Sequence, residues 1–291
     1  MSSTQPEIRK KRSWIGWLIA AVVVVAVAVW AIFAFVVPQG DSEDSADLST
    51  PFTVAAVPVP HAEILEFVRD ELADDAGISF DVETFTDYPL GNRLLVDGDV
   101  DANYFQHQPY EDAQVEEFGY ELSSYPGVHI EPYAAFSDSL ESIDELPEGG
   151  TIGITNDPSN QSRALILLSE AGLIELPEGD AELTVLAVDN PENNPSGYVF
   201  QETDAAQLSR ALPDVDLAIL NGNYFLDAGL TLTDALLVES IDENPYSNFL
   251  TVREGEQDDP RFVELNELLH SPETKAYIEE NWPGGDVYPA F

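Results

Sequence analysis

The chain has 291 residues, with 11 Lys+Arg against 55 Asp+Glu, a formal net charge of −44 and no cysteine. So few cations exclude nonspecific nucleic-acid binding; without a thiol there is no disulfide scaffold, Cys-ligated metal or iron–sulfur site, Cys nucleophile or thioether-linked lipid anchor. A hydrophobic fraction of 44% is too high for a disordered acidic chain, so the charge reads as a highly solvated acidic surface on a folded protein.

Residues 1–13 read as a basic cytoplasmic tail, with Arg9, Lys10, Lys11 and Arg12 just before an apolar run. Trp14 to Val37 is 24 residues without a charge. At about 1.5 Å per residue it spans roughly 36 Å, enough to cross a hydrocarbon core of about 30 Å. Asp41, Glu43, Asp44 and Asp47 follow it, so the positive-inside rule places the remainder outside the cell. The run is longer than the apolar region of a cleaved signal peptide, and Val36-Val37-Pro38 is a poor cleavage site, so it reads as an uncleaved anchor. Residues 38–51 read as an acidic linker.

From residue 52 onward, strand-like and helix-like signals alternate. Phe52–Val59, Phe80–Phe85, Ala102–Phe105, Val128–Phe136, Thr151–Ile154, Leu183–Val188, Leu217–Leu220 and Phe249–Val252 read as strands. His61–Ala73, Leu90–Val96, Gln161–Ala171, Ala205–Ala211, Arg261–Leu269 and Pro272–Asn281 read as helices. The alternation predicts an α/β fold with largely parallel sheets, and two βαβ series predict two lobes.

Asp97–Asp101 imitates the start of a calcium loop, but Ala102 and Gln108 stand where the loop needs Gly and Glu, so it reads as a polar turn before a strand. H-E-x-x-H, G-x-S-x-G and P-loop patterns are missing, and His61, His107, His129 and His270 are scattered. The sequence therefore indicates no enzyme, metal or cofactor. The unusual stretch is Asn103-Tyr104-Phe105-Gln106-His107-Gln108-Pro109-Tyr110, where aromatics and amides crowd the end of a predicted strand. It suits either a mostly apolar ligand needing a few oriented hydrogen bonds or an ordinary core strand with a buried histidine. Asn156–Arg163 opens a helix that Ser159 or Asn160 can cap, and its N-terminus with Arg163 suits a carboxylate or phosphate; a surface arginine paired with an acid is the alternative. Asn221–Tyr224 and Pro245–Asn248 place amides at strand ends but read alone as turns.

These segments, with Pro60–Leu65, Asp97–Tyr110, Val128–Pro132, Asn156–Pro158 and the ending Pro289-Ala290-Phe291, resemble the methionine-binding NlpA lipoprotein family of ABC-importer substrate-binding proteins, over about residues 52–291. The resemblance implies a two-lobed type II periplasmic-binding-protein fold with two crossovers. The first lobe would take residues 52–131 and 249–291, the second 134–243. It also implies a ligand held by its side chain among Tyr88, Phe105, His107 and Tyr110, by its carboxylate at Arg163, and by its polar ends at Asn221 and Asn248. Tyr88 enters through the resemblance alone. The implied role is a membrane-tethered receptor that hands methionine to an importer's permease and, through it, to its ATPase. Another small amino acid or a methionine-containing dipeptide is the alternative ligand. Family members carry a lipidated cysteine after the signal sequence; in this chain Trp14–Val37 takes its place as the expected anchor.

Overall fold

The computed structural model describes residues 47–177 and 183–291. The expected basic tail, the membrane anchor and most of the acidic linker lie outside the described residues. Among the described residues no helix is long and apolar enough to cross a membrane.

Buried, β-rich segments build two separate sheets. The first has six strands: β1 (Phe52–Ala56), β2 (Phe80–Thr84), β3 (Ala102–His107), β4 (Leu122–Ile130), β10 (Asn248–Arg253) and β11 (Tyr288–Pro289), in the order β11-β4-β10-β3-β1-β2. The second has five: β5 (Ala134–Phe136), β6 (Thr151–Thr155), β7 (Val199–Thr203), β8 (Leu217–Leu220) and β9 (Leu237–Val238), in the order β7-β6-β8-β5-β9. The chain leaves the first sheet after Ile130, enters the second at Ala134, and returns between Val238 and Asn248. These two connections, 131–133 and 239–247, are where the two halves meet.

Among the described residues seven α-helices of six or more residues complete the α/β pattern: α1 (Glu63–Glu71), α2 (Tyr88–Asp97), α3 (Gln108–Phe118), α4 (Pro158–Glu170), α5 (Gly222–Asp227), α6 (Pro260–Leu269) and α7 (Pro272–Asn281). The stripe Ile64, Leu65 and Val68 of α1 packs with Phe262 and Leu265 of α6 and Ile278 of α7 against the first sheet. Ile152 and Ile154 of β6 with Ala164, Leu165 and Leu168 of α4 centre the second core. After α2, Gly98 adopts φ 79°, a left-handed helix stop that favours glycine. Asp101 then accepts the Thr53 amide at 2.8 Å, so the calcium-like stretch is a turn tied to β1.

Several expectations are corrected. Val128–Phe136 is not one strand. Pro132 has no N–H for a ladder, and Glu131–Tyr133 carries the chain between sheets. Leu183–Val188 is not a strand: Val185–Val188 is a single helical turn whose Val185 and Val188 reach the second core while Leu186 faces solvent, and the strand beside β6 is the more polar Val199–Thr203. The sheets are mixed rather than largely parallel. β1 pairs in parallel with β2 and β3, and β6 with β7 and β8. β10, which returns from the second sheet, is antiparallel to β3 and β4; β11 is antiparallel to β4, and β5 to β8 and β9.

Candidate ligand-binding site

At the C-terminal end of β3 the fully buried run Ala102–His107 meets the first turn of α3. His107 occupies the helix N-cap and accepts the Tyr110 amide at Nδ1 (3.2 Å), while Pro109 fits the first turn, where an N–H would be unsatisfied. With Nδ1 accepting, the ring proton sits on Nε2, which donates to Asn160 Oδ1 at 3.1 Å. Burial, with the nearby Arg163 charge, drives the His107 pKa down to about 3, so the ring is neutral near pH 7. Asn160 Oδ1 also accepts from Asn221 Nδ2 at 2.9 Å, so one amide oxygen ties β3, α4 and the end of β8 together.

All seven residues expected at the site, Tyr88, Phe105, His107, Tyr110, Arg163, Asn221 and Asn248, line one cavity. Together with its open mouth it comprises about 330 Å³ of atom-free space. Tyr88 at the start of α2, Phe105 and Tyr110 form an aromatic wall, with ring centroids 5.6–5.9 Å apart. Tyr88 donates its hydroxyl to Asn223 Oδ1 at 2.5 Å, joining the wall to the first turn of α5. Gln106, Glu131, Asn160, Gly222 and Asn223 complete the lining. The sequence stretches quoted above contain all five, but nothing separated them from turn or core residues.

Arg163 projects from α4 and is 4% exposed. Its Nε and Nη2 donate to Glu239 Oε1 (2.8 Å) and Oε2 (2.6 Å), and Nη2 also donates to the Glu131 carbonyl (2.9 Å). Its guanidinium lies 4.8 Å from the Tyr133 ring and 4.1 Å from the Tyr246 ring. Burial pulls the Arg163 pKa down, but hydrogen bonds and charge from Glu239 outweigh it and hold the group above the ordinary arginine value. Two expectations change here. The bidentate edge is already filled by Glu239, leaving Nη1 as the edge without a protein acceptor among the described residues. The helix N-terminus is capped by Asp157, not by Ser159 or Asn160, and the Asp157 carboxylate takes the Asn160 amide at 3.0 Å.

Behind the other wall, His129 Nε2 donates to Glu131 Oε1 at 2.8 Å, and the Tyr104 hydroxyl donates to His129 Nδ1. His61 Nε2 lies 3.4 Å from the same carboxylate oxygen, but neither His61 nitrogen makes a well-formed hydrogen bond. Burial drives His61 and His129 down to about 3, so both are neutral near pH 7, and it raises the Glu131 carboxyl against the pull of His61 and Arg163. His61, His129 and Glu131 bring three ligand-type atoms within 4.8 Å. Two ligands of a tetrahedral ion keep about 3.4 Å between them at bond lengths of about 2.1 Å. The 2.8 Å His129–Glu131 contact is closer than that and reads as a hydrogen-bonded cluster. Gly222 is required beside it, because a Cβ there would meet Glu131 Cβ at 2.3 Å and Oε2 at 2.4 Å.

The profile of the NlpA lipoprotein family matches residues 52–291. A Bacillus subtilis protein named methionine-binding lipoprotein MetQ is 35% identical over 262 residues, 88% of this chain and 95% of that protein. A Burkholderia cenocepacia nutrient-binding protein solved bound to methionine is similar at 38% identity and TM-score 0.78, over 82% of this chain and 100% of that one. A periplasmic substrate-binding protein of an ABC transporter from Coxiella burnetii is similar at 38% identity and TM-score 0.76, again over 82% and 100%. With the family profile spanning both sheets and the whole cavity, the chain belongs to the NlpA lipoprotein family.

Proposed function

We propose that this protein binds methionine in the cavity between its two sheets and delivers it to the permease and ATPase of an ABC importer, as a binding protein rather than an enzyme. The observation that carries the reading is the composition of that one cavity: the aromatic wall of Tyr88, Phe105 and Tyr110 shares it with Arg163 and the amides of Asn221 and Asn248. The thioether side chain belongs against the aromatic wall, where sulfur–aromatic contact contributes about 0.3–1.5 kcal/mol and desolvation the rest. The carboxylate belongs at Arg163 Nη1, and the remaining polar atoms at His107, Asn221 and Asn248. The Bacillus and Burkholderia relatives support the ligand, and the Coxiella relative supports the transport role. Trp14–Val37 is proposed as a single-pass anchor that keeps the binding domain on the extracytoplasmic face, near the permease.

A methionine-containing dipeptide is the second reading, because a groove lined by Asp87, Glu117, Asp157 and Asp204 shares Tyr88 and Tyr110 with the cavity. Mass spectrometry of the small molecule released on denaturing the purified full-length protein separates the two, and release of an unrelated compound sinks both. Arg163→Ala should weaken L-methionine binding about tenfold to hundredfold, the usual worth of a hydrogen bond to a charged group. Unchanged affinity by calorimetry would remove Arg163 from the carboxylate role.

A further inference from the structure

Two neighbouring hydrogen bonds at the aromatic wall join the halves of the molecule. Tyr88 donates to Asn223 Oδ1 at 2.5 Å, and Tyr224 donates to the Thr86 carbonyl at 2.9 Å. Thr86 and Tyr88 lie where the chain passes from β2 into α2, and Asn223 and Tyr224 lie on the first turn after β8. Tyr88, Asn223 and Tyr224 are all buried. Burial raises the Tyr88 hydroxyl well above its ordinary value, so it keeps its proton and donates. The same residues stand at a boundary. Tyr88 and Tyr110 line both the cavity and the acidic groove outside it, while Asn223 lines the cavity and Tyr224 the groove. The Tyr88 ring centroid is 5.6 Å from that of Tyr110 and 4.9 Å from that of Tyr224, which is ring-to-ring contact. A ligand leaving toward the groove must therefore displace Tyr88.

We infer that Asn223 is a positioning residue for ligand retention: it latches Tyr88 from the opposite half and so sets how long the cavity stays shut. The inference rests on the reading of the cavity as the methionine site. Asn223 acts through the Tyr88 ring, which is the group placed against the ligand's side chain. When the halves part, the Tyr88 hydroxyl and the Asn223 amide separate and each returns to water. Only closure pairs them, so the bond weighs on release and not on capture. Of the two bonds, this is the one made side chain to side chain, and each partner can be removed alone. The Asn223 backbone N–H, which serves the Glu131 carboxylate, is untouched by a change of side chain.

The test follows radiolabelled L-methionine on the full-length chain, measuring its capture and then its release into excess unlabelled methionine. Asn223→Leu keeps the side chain's size without the acceptor, and Tyr88→Phe keeps the ring without the hydroxyl. Each should speed release about fivefold to hundredfold, the range for leaving a buried polar group unpaired, with the capture rate within about threefold of wild type. The double variant should release methionine no faster than the faster single one, because it leaves neither partner buried and unpaired. Multiplying effects in the double variant would show that the two residues act separately and overturn the inference. A ligand-free melting temperature that falls while release stays at the wild-type rate assigns Asn223 a purely structural role and also overturns it. If Asn223→Leu fails to fold, Tyr88→Phe decides alone, and wild-type release from it overturns the latch. A wild-type chain that binds methionine while the variants release it normally keeps the proposed function and loses only the latch; one that binds no methionine loses both.

Discussion

Two buried polar clusters flank the connection at Glu131–Tyr133, and they solve the same problem in opposite ways. Around Arg163 the chain keeps two full charges, paired through two hydrogen bonds, with the Tyr133 and Tyr246 rings 4.8 and 4.1 Å from the guanidinium. Around His129 it keeps the imidazoles neutral and builds a chain of hydrogen bonds from Tyr104 to Glu131. The difference follows from what each group can give up. A guanidinium cannot shed its proton at accessible pH and must find a carboxylate, whereas an imidazole escapes the cost of burial by staying neutral. The first cluster is therefore fragile to the loss of its partner, and the second to acid.

The largest effect is expected from breaking the ion pair from the side away from the cavity. Glu239→Ala should cost about 3–5 kcal/mol of stability, because it leaves Arg163 buried without its counter-charge. Urea denaturation without ligand measures it, and a loss below 1 kcal/mol would mean that Arg163 is better solvated than its burial indicates. Acid tests the second cluster. His61, His107 and His129 have folded-state pKa values near 3 against about 6.5 when unfolded, so below pH 6.5 the unfolded chain takes up protons that the folded chain refuses. Stability is complete above the unfolded value and should fall as pH drops from 6.5 toward 3, by up to about 1.4 kcal/mol per pH unit for each histidine. Glu111 and Glu131, raised by burial, act in the opposite sense, so the comparison is made against a variant. His129→Asn should reduce the slope between pH 6.5 and 5.5 by roughly a third, and an unchanged slope would show that His129 is already protonated in the folded state. The smallest change sharpens the boundary between cluster and cavity. Gly222→Ala should cost about 1–3 kcal/mol by pressing a methyl group into Glu131, and should weaken ligand binding as well. Normal stability with normal binding would mean that Glu131 can swing away at little cost.

The parts of this molecule legible in its sequence share one property: their side chains report their surroundings locally. Strands such as Thr151–Thr155 and Leu217–Leu220 are short runs buried at nearly every position, and helices such as Glu63–Glu71 show an apolar stripe. The helix Gln108–Phe118 shows no such stripe and was not foreseen. Tyr125-Pro126-Gly127 looks like a turn, yet it runs inside β4, where irregular register against β10 accommodates the proline. Val199–Thr203 was missed because an edge strand with mostly exposed side chains carries no hydrophobic signal. The seven expected site residues do meet in one cavity; six were marked by their own chemistry at strand ends, and Tyr88 through the family resemblance alone. Glu239 could not be read, because one acid among 55 has no local feature that announces a buried arginine 76 positions away.

The contacts around Arg163 have a mechanical consequence. Tyr133 belongs to the connection that leaves the first sheet and Tyr246 to the one that returns, so a single guanidinium plane is clasped by both. Sliding one sheet sideways past the other would pull the two rings away from the guanidinium in different directions and stretch the hydrogen bond to the Glu131 carbonyl. Folding the sheets toward each other about the two connections keeps this cluster on the hinge line, because both tyrosines belong to the connections themselves. The junction is therefore compliant to bending and stiff to shear, as a book's spine is, and spin-label distances across the two ends of the cleft should lengthen or shorten together.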